Sequence, residues 1–75
     1  MALETKIIRK LWSFVETSNP YNLMELSDRE LIQKLIYEVE RVSSLNSDES
    51  KVLSQYIGLR TLLIRDLAYA KLSED

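Results

Sequence analysis

An all-α fold follows from three observations. Apolar residues recur at helical spacing in three segments of the chain. Two of those segments open on N-cap signals. One Gly and one Pro among 75 residues leave too few turn formers for a β-rich chain. The expected architecture is a small antiparallel three-helix bundle with a long C-terminal helix. It forms one domain over residues 1–75, with helices at about 2–17, 28–43 and 47–72.

The first helix carries Leu3, Ile7, Ile8, Leu11, Trp12, Phe14 and Val15 on one half of its surface. Lys6, Arg9, Lys10 and Ser13 occupy the other half. Pro20 cannot continue that helix and pushes Asn19 towards extended geometry. Asn19-Pro20-Tyr21-Asn22 suits a type I turn. Tyr21, Leu23, Met24 and Leu26 in the connection are expected to close one end of the core.

The second helix has Ser27 as N-cap and Glu30 as its capping-box partner. Leu26 and Leu31 form a hydrophobic staple across that start. Its apolar stripe is Leu31, Ile32, Leu35, Ile36, Val39 and Val42. The third helix opens at Asn46 or Ser47, with Asp48 and Glu49 in the first turn. The main arc of this helix contains Val52, Leu53, Tyr56, Ile57, Leu59, Leu63, Ile64, Leu67, Ala68 and Ala70. Gly58 inside it costs about 1 kcal/mol relative to Ala. Close approach of a neighbouring helix is the simplest reason for it, and a slight bend is the other.

Composition removes several function classes. The chain has no Cys and no His, so disulfides, thiolate chemistry and the commonest zinc, haem and base residues are absent. One glycine permits no phosphate-binding loop. Ten basic against twelve acidic residues give a net charge of −2, with no block of like charge to attract a polyanion. No apolar run nears the ~18 residues of a membrane span. The charges of Glu4, Lys6, Arg9 and Lys10 break any signal-peptide core. The sequence therefore predicts no enzyme, no cofactor, no metal and a cytoplasmic location, and it disfavours a nucleic-acid or membrane partner.

Four features stand out against that background. Arg60 lies inside the apolar arc of the third helix, so it needs an acidic or carbonyl partner or serves to pair an anion. Leu62 and Tyr69, seven apart with Arg65 nearby, fall outside that arc on one stripe. Tyr37 is likewise off the arc of its own helix and is assigned to the same contact surface. Lys6, Arg9 and Lys10 beside Trp12 make a mildly basic face, read as solvated.

Residues 31–66 carry a helix pair joined by a short Ser/Asn loop, with Ser54-Gln55 in the second helix. In this the segment resembles the small two-helix phosphatases that act on aspartyl-phosphate in bacterial response regulators. Their motif continues with an acidic residue, and Gly58 stands at that position here. The resemblance implies a degenerate, phosphatase-like helical hairpin. The leading expectation is a non-enzymatic interaction or regulatory module whose partner is a protein or a second copy, as a homodimer. A helical nucleic-acid-binding regulator is the alternative.

Overall fold

A computed structural model describes residues 4–73, and every described element is helical. The helices are α1 (Thr5–Thr17), α2 (Pro20–Glu25), α3 (Asp28–Val42), α4 (Ser47–Gly58) and α5 (Thr61–Leu72). The all-α expectation holds. The expected count of three helices is corrected to five, for two local reasons. Ala2 and Leu3, assigned above to the first helix, lie outside the described residues.

The first correction is α2. Pro20 takes the first helical position, where its missing N–H costs nothing, and Asn19 caps it by accepting from Tyr21 N at 2.9 Å. The turn expected there thus continues into a short helix. That extra turn brings Leu23 into the core, where it is 1% exposed. Leu26 packs against the core beside it, whereas Tyr21 and Met24 stay exposed.

The second correction is the long helix. It breaks at Leu59-Arg60, where Leu59 N bonds to Gln55 O but Arg60 N bonds to Ile57 O, in a tighter turn. The buried positions Leu53, Ile57, Thr61, Ile64 and Ala68 keep helical spacing through the break. The described residues extend 39 × 20 × 18 Å. The helical hydrogen bonds of α4 stop at Leu59, and those of α5 begin again with Ile64 N bonding to Arg60 O. A Cβ on Gly58 would meet Ile32 Cδ1 at 3.6 Å, an ordinary contact, and no glycine has positive φ. Helix approach therefore does not demand glycine, and Gly58 is the last residue of α4 before the break. Gly58→Ala is expected to raise stability by about 0.5–1 kcal/mol in urea unfolding. A loss of stability would show that the contact with Ile32 is tighter than its geometry.

The capping boxes form as expected. Ser27 Oγ accepts from Glu30 N at 3.2 Å, while Glu30 Oε1 accepts from Ser27 N at 3.1 Å. Asn46 and Glu49 repeat this at the start of α4, with distances of 2.8 and 3.1 Å. The Ser27 backbone N–H, followed by its hydroxyl, holds the Glu30 carboxyl below its ordinary value of 4.5. A depressed folded pKa contributes stability above the ordinary value, and that contribution is lost as pH falls through the folded one. The parent should therefore melt slightly above Glu30→Gln at neutral pH, and the gap should close in acid. A gap independent of pH would mean that the carboxylate charge plays no part in the cap.

Helix α3 is the axis of the core. It packs on α1 and α4 and touches α5, whereas α2 packs against α5. Its Leu31, Leu35 and Val39 are 0% exposed, and Leu11, Leu53, Ile57 and Ile64 are buried around them. Val42, at the end of the expected stripe, is exposed.

Candidate functional site

Helix α5 buries Thr61, Ile64 and Ala68 and leaves most of its remaining apolar residues outside. Leu62 is 71% exposed and Tyr69 63%. Leu59, at the break, is 84% exposed, and Leu63 and Leu67 are 47% and 45%. Placing Leu59, Leu63 and Leu67 in the buried arc is thus a correction. The arc drawn on the sequence was wider than the strip that α2 and α3 cover. Ala70, also assigned to that arc, is exposed as well.

A helix that is apolar on all sides is ordinarily buried on all sides. The exposed charges on α5 are Asp66 and, in its last turn, Lys71. On one flank, Arg65 Nη2 reaches Asp28 Oδ1 at 2.6 Å and ties α5 to the start of α3. The Arg65 side chain is 26% exposed, so its charge stays at the border of the face. On the other flank, Leu67 and Ala70 border a hollow of about 210 Å³ whose floor includes Val15, Leu23 and Ala68. Lys71 Nζ donates to Glu16 O at its rim and joins α5 to the end of α1.

Tyr37 stands apart from this face. It is 57% exposed and lines a polar hollow with Glu30, Gln33, Lys34 and Glu38. Nine residues separate it from Asp28, which places it about half a revolution round α3 at ~100° per residue. The structure brings Leu62, Arg65 and Tyr69 together on α5 and leaves Tyr37 on a different part of the surface.

Arg60 is half-buried. Its guanidinium carbon sits 3.7 Å from the Tyr56 ring centroid, and Nη1 donates to Tyr56 O at 3.1 Å. Tyr56 Oη in turn accepts from Trp12 Nε1 at 3.0 Å, and the two rings meet edge to face. A carbonyl and an aromatic face thus supply the partner that Arg60 requires. The basic face of α1 is partly engaged: Lys10 Nζ donates to Ser43 Oγ at 2.7 Å, and Lys6 lies 3.6 Å from Glu4. Gly58, the position of the acidic residue in the resemblance above, ends α4 and carries no side chain. No helix is long and apolar enough to cross a membrane among the described residues.

The described residues form an all-helical fold in which α5 leaves several apolar side chains exposed. Comparison of the chain with known protein families, with curated proteins and with solved structures found no match.

Proposed function

We propose that this chain is a small, non-enzymatic interaction module that associates with itself through the outer face of α5. One observation carries the reading: Leu62, Leu63, Leu67 and Tyr69 expose their side chains along α5, and Leu59 is exposed just before its start. The largest apolar patch on a typical monomer is ~300–600 Å², and patches at that limit usually mark contact sites. A second copy is the occupant chosen, because a small core without disulfide or metal gains most from oligomerisation. The same reading places the module in the cytoplasm, since a chain without cysteine draws no stability from an oxidising compartment.

Sedimentation equilibrium tests it. The parent should exceed its monomer mass of 8.8 kDa as concentration rises. Leu62→Glu combined with Tyr69→Glu should return it to the monomer with its helical circular dichroism intact, since both sites face outward. A parent that stays at monomer mass at every concentration overturns the proposal.

A further inference from the structure

The outer face of α5 has a charge pattern that distinguishes between ways of pairing. At ~100° per residue, Leu62 and Tyr69 fall within about 20° of each other, while Arg65 and Asp66 lie about 50° to either side of that line. Arg65 gives Nη2 to Asp28 and keeps further N–H donors on its guanidinium. Asp66 is exposed and joins no ion pair among the described residues.

A second copy seated on the Leu62–Tyr69 line meets these flanks in one of two ways. In a parallel pair the two-fold axis runs along the helices, and each Arg65 flank faces the Asp66 flank of the other copy. In an antiparallel pair the axis runs across the helices, so like flanks meet, Asp66 against the partner's Asp66. Like charges brought together in a contact are costly, and complementary ones fix register and orientation.

We infer that a second copy of this chain docks in parallel along Leu62 and Tyr69 of α5, with Arg65 of each copy against the partner's Asp66. This rests on the self-association proposed above and adds its geometry.

Cysteine cross-linking reads the orientation, because the chain has no cysteine of its own. Leu62→Cys and Tyr69→Cys lie on the docking line itself and stand seven residues apart, about 10 Å along α5. A disulfide needs Cα atoms within ~7 Å. The parallel pair predicts that each variant, oxidised alone, forms a disulfide-linked dimer. Asp66→Ala should also weaken the dimer several-fold, whereas in an antiparallel pair it would strengthen it. Cross-links that form only when the two cysteine variants are mixed overturn the parallel arrangement and leave self-association standing. A dimeric mass with no cross-link in any combination overturns docking on this line. A monomeric parent removes both readings.

Discussion

Leu35→Ala should lower the melting temperature by about 10 °C or more and shift the urea midpoint without changing its slope. Leu35 is 0% exposed at the middle of α3, the helix that contacts α1, α4 and α5. Truncating a buried leucine costs about 2–5 kcal/mol, from lost burial and from the cavity left behind. A chain of 75 residues at ~0.05–0.15 kcal/mol per residue has about 4–11 kcal/mol in total. One side chain thus holds a large share of the stability. A parent-like melting curve would mean that α1 and α4 close over the gap, and that α3 is not the axis of the core.

Tyr56 is the second position where a large effect is expected, and two substitutions separate its contributions. Tyr56→Ala removes the edge-to-face contact with Trp12, at 6.4 Å and 72°, and the ring beneath Arg60. An aromatic pair contributes about 0.5–1.5 kcal/mol beyond its area. A cation over a ring adds about 0.5–1 kcal/mol at an exposed site. With the half-buried ring area included, a loss of about 2–3 kcal/mol is expected, below the 3–5 kcal/mol of a fully buried aromatic. Tyr56→Phe keeps the ring and the Arg60 stack and loses only the Trp12 Nε1 to Tyr56 Oη bond. Its cost is expected at about 1 kcal/mol. Trp12 is the only tryptophan, so its fluorescence reports both changes directly. Equal losses for the two variants would show that the hydroxyl bond, and not the ring, joins α1 to α4.

The sequence announced its helix starts clearly because capping chemistry is local. Ser27 with Glu30 and Asn46 with Glu49 each lie within one turn, and both boxes form. The break after Gly58 was hidden for the opposite reason. The spacing from Ile57 to Thr61 is as helical as that from Leu53 to Ile57, so periodicity passes through while the hydrogen bonds change. Asn19-Pro20 reads the same at a turn and at the first position of a helix. Only the burial of Leu23 beside α5 decides between them.

The candidate face was half legible. Leu62 and Tyr69 lie off any single buried strip, and periodicity alone places them outside. Leu59, Leu63 and Leu67 could not be placed that way, because α5 has almost no polar side to mark which way it faces. The ion pair of Arg65 with Asp28 joins residues 37 positions apart, beyond the reach of any local pattern.

The pairing of α2 with α5 bears on how the chain assembles. α1, α3 and α4 meet through contacts between successive or nearby segments, whereas α2 must wait for a helix some forty residues downstream. Closing so long a loop carries an entropic penalty that contacts within the hairpin of α3 and α4 avoid. Docking of α5 therefore carries the larger closure penalty, and its contacts with α2 must offset it. Its outer leucines lie on the helix that closes this long loop, so anything that settles on them also steadies the closure of the chain.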